Sequence, residues 1–117
     1  MNIEEFRNYC LSKEGTEECS PFGIDTLVFK VAGKVFALTS ISEIEFSINL
    51  KCEPALAIEL REQYQCVQPG YHMNKKHWNT IIVDGSVSSN QIKEWIDDSY
   101  DLIVESLPKK QKGSLKK

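Results

Sequence analysis

Long apolar runs are absent from this 117-residue sequence, and none of its hydrophobic stretches approaches the ~20 residues that a membrane-spanning helix needs. The first residues, Met1 to Glu5, are acidic and lack the apolar stretch and small-residue cleavage site of a secretory signal. The sequence therefore predicts a soluble, cytoplasmic protein without a membrane partner.

Cysteine is sparse and irregularly placed. Cys10, Cys19, Cys52 and Cys66 stand singly, without a Cys-x-x-Cys pair. This pattern argues against a disulfide framework and against a zinc knuckle. We expect reduced, mostly buried thiols, and the acidic residues near Cys10 and Cys19 disfavour a thiolate.

Motifs of catalysis are also missing. The sequence has no phosphate-binding glycine loop and no nucleophile elbow. His72 and His77 are five residues apart, which does not match the zinc-binding helix pattern, and no third ligand is evident. A nucleophilic Cys52 or Cys66 requires a histidine beside it in space, which nothing in the sequence favours. We expect a protein that is not an enzyme and that holds no metal or cofactor.

Positive charge is scarce in most of the chain. Fourteen Lys and Arg residues face seventeen Asp and Glu residues, which gives a net charge of −3. Five of the lysines lie in the last nine residues, so residues 1–108 alone carry −8. Such a body repels a polyanion unless its few cations are gathered in one place.

The remaining patterns predict one folded domain, because a chain of this length supports a single continuous core. We assign residues 1–108 to this domain and residues 109–117 to a lysine-rich flexible tail. Helical spacing follows two capping boxes, Asn2 with Glu5 and Ser88 with Gln91, and a further helix begins at Pro54.

Period-two alternation predicts the strands. Residues 26–39 form a hairpin around an Ala32-Gly33 turn, residues 44–51 form a strand with one buried face, and residues 80–83 form a buried strand. Residues 14–18 are expected to form an acidic bend, residues 20–23 a turn, and residues 67–79 an irregular segment. The order helix, three strands, helix, strand, helix predicts an α+β fold in which an antiparallel sheet packs against three helices.

The segment Pro69–Thr80 is the densest collection of polar, basic and aromatic residues, and it resembles the hallmark of the MmcQ/YjbR family. Further matches are Ser20–Gly23, Phe29–Val31, Lys34–Ala37, Leu50–Pro54, Leu60-Arg61, Asp84-Gly85 and Ser99–Leu102. The resemblance runs from Asn2 to Leu107. It implies a small bacterial protein with a fold similar to frataxin-like proteins and to the double-wing DNA-binding domain of a phage transcription factor.

DNA binding is the function that the resemblance implies first, with double-stranded DNA as the partner. Lys30 and Lys34 flank the hairpin turn, where a wing tip meets a nucleic-acid backbone. Lys75, Lys76 and the C-terminal lysine tail are candidates for phosphate contacts, and Trp78 is a candidate for stacking. Five other residues of the segment are expected to shape the loop or to contact a ligand: Tyr71, His72, Asn74, His77 and Asn79.

Two alternatives stay open, and the chain is expected to be a monomer in each case. In the first, the 67–79 segment docks a partner protein through Tyr71, Met73 and Trp78, because these residue types are enriched at interfaces. In the second, suggested by the frataxin likeness, an acidic ridge binds iron or another hard cation. Its members are Glu4, Glu5, Glu14, Glu17 and Glu18.

Overall fold

The computed structural model describes residues 1–21, 25–40, 46–70, 73–110 and 112. In these ranges the chain forms three helices and six strands. In chain order the elements are α1 (Ile3–Leu11), β1 (Thr16–Cys19), β2 (Thr26–Val31), β3 (Lys34–Ser40), β4 (Ser47–Lys51), α2 (Pro54–Gln63), β5 (Val67–Pro69), β6 (Trp78–Ile82) and α3 (Ser89–Glu105). None of the described helices is long and apolar enough to cross a bilayer.

The strands form one antiparallel sheet in the order β1-β2-β3-β4-β6-β5. Its core joins helix residues such as Phe6 and Trp95 to Phe29, Ile48 and Ile81 of the strands. These strand residues point to the same side of the sheet, so the helices cover that face. The predicted α+β fold, an antiparallel sheet packed against three helices, is confirmed.

The β2–β3 hairpin turns at Ala32 and Gly33, as the alternation predicts. Both residues have positive φ angles, 50° and 79°, which is the backbone that a two-residue type I′ turn requires. A register shift between Phe29 and Lys30 marks a bulge close to the turn. The bulge and the turn together fix the positions of the lysines on either side of the hairpin tip.

Both helix N-caps predicted from the sequence are present. The Asn2 side chain accepts a hydrogen bond from the Glu5 amide at 2.8 Å, and the Ser88 hydroxyl accepts one from the Gln91 amide at 3.1 Å. The helix at Pro54 has an additional cap in Glu53, whose carboxylate accepts from two amides of the first turn. These caps satisfy amides that have no partner within the helix.

Two short edge strands correct the prediction. The acidic residues read as a bend contain β1, where Glu17 lies opposite Lys30. The segment read as irregular from residue 67 contains β5, which pairs with β6. Both strands lie at the margins of the sheet, where a strand needs only one partner and carries few buried residues.

The strand around Ile48 also differs from its prediction. Ile48 and Leu50 face the helices as expected, but Asn49 between them is only 9% exposed. The Thr80 hydroxyl donates to the Asn49 side chain at 2.5 Å, so a polar pair replaces the expected solvent-facing residue. Alternation predicts an exposed position here, whereas the central place of β4 buries it.

Some predictions fall on residues outside the described ranges. These are the second half of the turn at 20–23, the beginning of the strand at 44–45, Tyr71, His72, and residues 111 and 113–117 of the tail. Lys109, Lys110 and Lys112 have helical backbone, and the flexible tail over 109–117 stays a prediction.

Candidate nucleic-acid interface

Arg61 of α2 holds the loop that precedes β6. Its Nε donates to the Asn79 side chain at 2.6 Å, and its Nη2 donates to the carbonyl of Trp78 at 3.2 Å and to the carbonyl of Lys75. A guanidinium group suits this task because its donors lie in a rigid plane. One side chain thereby fixes both the beginning of β6 and the loop before it.

Asn79 extends this network into the core. It is 2% exposed, and its Nδ2 donates to the Ala57 carbonyl at 3.4 Å. The pair Arg61–Asn79 therefore ties α2 to β6 through buried polar atoms, which are costly to leave without partners.

Asn74 shapes the loop itself. Its side chain accepts a hydrogen bond from the Lys76 amide at 2.9 Å, and its carbonyl accepts from the amides of His77 and Trp78 at 3.1 and 3.0 Å. Asparagine commonly closes turns in this way. The result is a compact turn whose outer residues, Lys75 and Lys76, are exposed.

Gly70 lets the end of β5 approach β6 closely. A Cβ at this position would lie 2.8 Å from Trp78 Cβ and 3.0 Å from its carbonyl oxygen, distances that real Cβ atoms rarely tolerate. The Gly70 amide donates to that same carbonyl at 3.0 Å. The close approach fixes the backbone of Trp78 against β5.

The strand register brings five lysines to one end of the sheet, which we call the lysine end. Lys34 begins β3, Lys30 lies near the end of β2, and Lys51 ends β4 beside the first residue of β6, Trp78. Lys75 and Lys76 lie in the loop before Trp78. With strands ~4.8 Å apart, β3 and β6 are separated by about 10 Å, and β2 and β6 by about 14 Å.

The lysine end keeps its charges available. None of its five lysines forms an ion pair with a residue that the structure describes. Four other cations do form such pairs: Arg7 with Glu18, Lys13 with Asp97, Lys93 with Glu5, and Lys112 with Glu105.

Two glutamates lie close to the lysine end and reduce its potential. Glu17 is directly opposite Lys30 across the β1–β2 ladder, so Lys30 is partly neutralised. Glu53 follows Lys51 closely in sequence, but its carboxylate is bound to the first amides of α2. Lys30 is therefore less available to a polyanion than Lys75 and Lys76.

Lys51 and Trp78 form a cross-strand pair. They are direct partners in the β4–β6 ladder, so their Cβ atoms are about 5 Å apart. Since Leu50 faces the helices, Lys51 and its partner point to the opposite face. A cation beside an indole ring is the combination that holds a phosphate and stacks on a base or sugar.

The backbone beneath this pair is fixed from both sides. The Lys51 amide donates to the buried Ser99 hydroxyl at 2.9 Å, and that hydroxyl donates to the Phe36 carbonyl at 2.5 Å. The Cys52 amide donates to the His77 carbonyl at 2.7 Å. Helix α3 thus holds the end of β4, and β4 holds the loop.

The predicted site residues divide into two groups. Lys75, Lys76, Trp78, Asn74 and Asn79 lie together around the loop, with His77 half-exposed between them. Lys30 and Lys34 lie at the same end of the sheet but across β4, and Lys34 Nζ is 3.5 Å from the Ser106 hydroxyl of α3's cap. Tyr71 and His72 lie outside the described residues.

Sequence reasoning missed Arg61 and Lys51 as site residues. Arg61 is adjacent to Leu60 in a helix that reads as an ordinary amphipathic one. Lys51 falls on the polar side of an alternating strand, where a solvated role is the usual one. The resemblance includes both residues in its matching segments, which was the available signal.

The five glutamates of the proposed acidic ridge do not converge. Glu18 forms two hydrogen bonds with Arg7 at 2.7 and 2.8 Å, and Glu5 pairs with Lys93 at 3.4 Å. Glu17 and Glu18 are consecutive on a strand and point to opposite faces. Within the described ranges no group of three or more His, Cys, Asp or Glu side chains is placed to hold a metal ion.

The cysteines are free, and three of the four are buried. Burial raises the pKa of Cys10 to about 12. For Cys52, burial and the neighbouring carboxylates of Asp98 and Glu53 raise the pKa to about 11. The expectation of reduced, mostly buried thiols is confirmed, and burial rather than nearby acidic charge is the main cause at Cys10.

Comparison with known proteins identifies the family. The family model YjbR matches residues 11–102. The chain is 36% identical over 115 residues to the uncharacterized protein YjbR of Escherichia coli K12, covering 98% of each chain. It is 37% identical over 108 residues to the uncharacterized protein YbdF of Escherichia coli O157:H7, covering 92% of this chain and 88% of that one.

A solved structure agrees with the fold. The crystal structure of protein DR2400 of Deinococcus radiodurans, with domain DUF419, matches with a TM-score of 0.92 and 34% identity, covering 97% of this chain and 87% of that chain. The sequence match and the shared fold span almost the same residues, and the chain belongs to the YjbR family.

Proposed function

We propose that this protein binds double-stranded DNA through its lysine end, with Lys51, Lys75, Lys76 and Trp78 at the centre of the contact. The observation that carries the proposal is the distribution of unpaired cations. Five lysines that form no ion pair with a described residue share one end of the sheet, while Arg7, Lys13 and Lys93 are paired with carboxylates. This arrangement gathers positive charge on an acidic body, which a polyanion partner requires.

The mode of binding follows from the geometry. The loop at 73–77 is held rigidly by Arg61 and Asn74, so its two lysines meet phosphates without first being ordered. The β2–β3 hairpin adds Lys34 at the beginning of β3, a strand about 10 Å from β6, so the lysine end offers contacts to more than one phosphate. These contacts are to the backbone and carry no direct base readout. Binding is therefore expected to be weak and salt-dependent, with Kd on the order of 10⁻⁴ to 10⁻⁶ M.

Fluorescence anisotropy with a labelled duplex, measured over a series of salt concentrations, tests the proposal. Log K should fall linearly with log salt concentration, and Lys75→Ala/Lys76→Ala should lower the slope by up to about 2 because two phosphate contacts are removed. Trp78→Leu should weaken binding while leaving the salt slope unchanged.

The matched control is Lys109→Ala/Lys110→Ala, which removes the same charge from the segment that follows α3. Equal losses in both double variants would mean that cations attract DNA wherever they lie, and the loop would not be the site. No binding even at low salt would reject the DNA proposal and leave docking of a partner protein through the 67–79 segment as the function to test.

A further inference from the structure

A second surface lies next to the lysine end and has the opposite charge. It is a groove of ≈ 340 Å³ between the beginning of α2 and the C-terminal half of α3, and we call it the acidic groove. Its lining residues are Cys52, Glu53, Leu56, Asp98, Asp101, Leu102 and Glu105. The four that belong to α3 lie at positions i, i+3, i+4 and i+7, which is one stripe along the helix.

The groove combines an apolar floor with a charged rim. Leu56 and Leu102 are half-buried and Cys52 is 7% exposed, so the floor is made of aliphatic and thiol groups. The four carboxylates of the rim are exposed, and no basic residue is among the lining residues. A small apolar cavity of ≈ 20 Å³ shares Cys52 and Leu56 with the groove and lies beneath it.

Two carboxylates of the rim, Asp98 and Asp101, form no ion pair with a described residue. The pKa of Asp98 is raised by partial burial and then by the negative charges of Asp101, Asp97 and Glu94. A positive group placed over the rim would relieve this repulsion.

The rim already attracts one lysine of the chain itself. Lys112 Nζ lies 3.3 Å from Glu105 Oε2, where the chain passes the end of α3. An aliphatic stem carrying a cation is the type of side chain that covers apolar surface while its charge reaches a carboxylate. The contact shows which chemistry this groove accepts.

We propose that the acidic groove binds a short segment of a partner protein in which lysine or arginine residues alternate with leucine or isoleucine. The basic side chains pair with Asp98, Asp101 and Glu105, and an aliphatic side chain occupies the floor over Leu56 and Leu102. Nucleic acid is repelled by the rim, so the groove and the lysine end take different partners. The volume suits only a few side chains, which limits the contact to a short peptide.

The experiment uses the full chain and a synthetic peptide of alternating lysine and leucine, capped at both ends, with binding measured by isothermal titration calorimetry. A matched peptide with serine for leucine keeps the charge and removes the aliphatic contacts. Asp101→Asn/Glu105→Gln should weaken binding of the leucine peptide by about tenfold. The serine peptide should also bind about tenfold more weakly than the leucine peptide.

The control variant Glu59→Gln/Glu62→Gln removes the same charge from exposed positions of α2 that do not line the groove. It should keep the affinity of the unaltered chain within twofold. Amide chemical-shift changes on peptide addition should centre on Cys52, Leu56 and Leu102. Equal weakening in both charge variants, equal affinity for both peptides, or shifts centred elsewhere would overturn the proposal.

Discussion

The lysine end and the contact between α1 and α3 use the same residue types for different purposes. Between the helices, the Tyr9 hydroxyl donates to Asp97 Oδ1 at 2.6 Å, and Lys13 Nζ contacts the same oxygen. Lys13 Nζ also lies 5.1 Å from the centre of the Tyr9 ring. We call Tyr9, Lys13 and Asp97 the helix clamp. At the lysine end, no lysine has such a partner among the described residues.

The difference teaches that a lysine's role depends on its partners rather than on its neighbours in sequence. Lys13 precedes Glu14 in the chain yet pairs with Asp97 on another helix. Lys51 is two residues from Glu53, but that carboxylate caps α2. The clamp lysine is a structural element, whereas the lysines of the other region are free to meet a ligand.

Replacement of Arg61 should have the largest effect on stability, because this cation holds the loop beside the lysine end in place. Arg61→Ala removes the donors to Asn79, Trp78 and the Lys75 carbonyl, and it leaves the buried side-chain oxygen of Asn79 without this donor. We expect the free energy of unfolding in urea to fall by about 3 kcal/mol. Arg61→Lys should recover only part of this loss because it lacks the planar donor array. A loss below about 1 kcal/mol would mean that the loop keeps its conformation without the hydrogen bonds from Arg61.

Alkaline pH should weaken the clamp region through Tyr9 and Cys10. The pKa of Tyr9 is raised, chiefly by its hydrogen bond to Asp97, and burial raises the pKa of Cys10 beneath it to about 12. Raised values mean that the folded state holds these protons more tightly. The contribution of these protonated groups to the free energy of unfolding is therefore complete below the ordinary cysteine pKa near 9. It is lost as pH rises toward 12.

For Cys10 alone the loss is about 1.4 kcal/mol per pH unit, or about 2 kcal/mol between roughly pH 9 and pH 10.5. Urea unfolding at several pH values measures it. Cys10→Ala should flatten this alkaline decline, whereas Lys75→Ala/Lys76→Ala should leave its slope unchanged. If Cys10→Ala does not alter the loss of stability at alkaline pH, the groups that cause this loss lie outside the clamp region.

Gly70→Ala and Gly33→Ala test two different constraints at the lysine end. At Gly70 the constraint is steric contact with a neighbouring residue, and at Gly33 it is the backbone conformation. A Cβ at Gly70 meets Trp78 at 2.8 Å, and we expect a loss of about 1.5 kcal/mol from the displacement of β6. At Gly33 an added Cβ meets nothing within 4 Å but φ is +79°, so Gly33→Ala should cost about 1 kcal/mol through strain alone. Only Gly70→Ala should also weaken DNA binding. The same DNA affinity in both variants would show that Trp78 adjusts without moving the loop.

The lysines of the lysine end should matter least for stability. Lys51→Ala, Lys75→Ala and Lys76→Ala should each change the free energy of unfolding by less than about 0.5 kcal/mol. Lys13→Ala in the clamp should cost about 1 kcal/mol because an ion pair and a ring contact are lost. Similar costs at Lys13 and Lys75, measured under the same conditions, would remove the distinction between the two regions.

Local chemistry made much of the fold predictable. Asn2, Ser88 and Pro54 mark helix beginnings through capping and backbone geometry, and Ala32-Gly33 marks a hairpin turn. Strand β1 was missed because Glu17 and Glu18 have low strand preference and no alternating pattern surrounds them. Strand β5 was missed because it has three residues and ends in Pro69.

The candidate site was predictable only in part, because its geometry depends on pairing between distant strands. The loop lysines stand out in sequence, but Lys51 reaches Trp78 only through the β4–β6 register. Arg61 contacts residues 14 to 18 positions further along the chain, and no local sequence pattern predicts such a contact. The burial of Asn49 likewise follows from β4 lying between β3 and β6 rather than from its neighbours.

Helix α3 covers β2, β3 and β4, although it is synthesised after all of them. The order of synthesis therefore affects the nascent chain. Strands β3 and β4 leave the ribosome before α3, and Phe36, whose ring packs against Tyr100 of α3, stays uncovered until that helix follows some 40 residues behind β4. During that interval an apolar sheet face is available for unwanted association. We expect fragments that stop before Ser89 to aggregate, and folding to wait for the helix that arrives last.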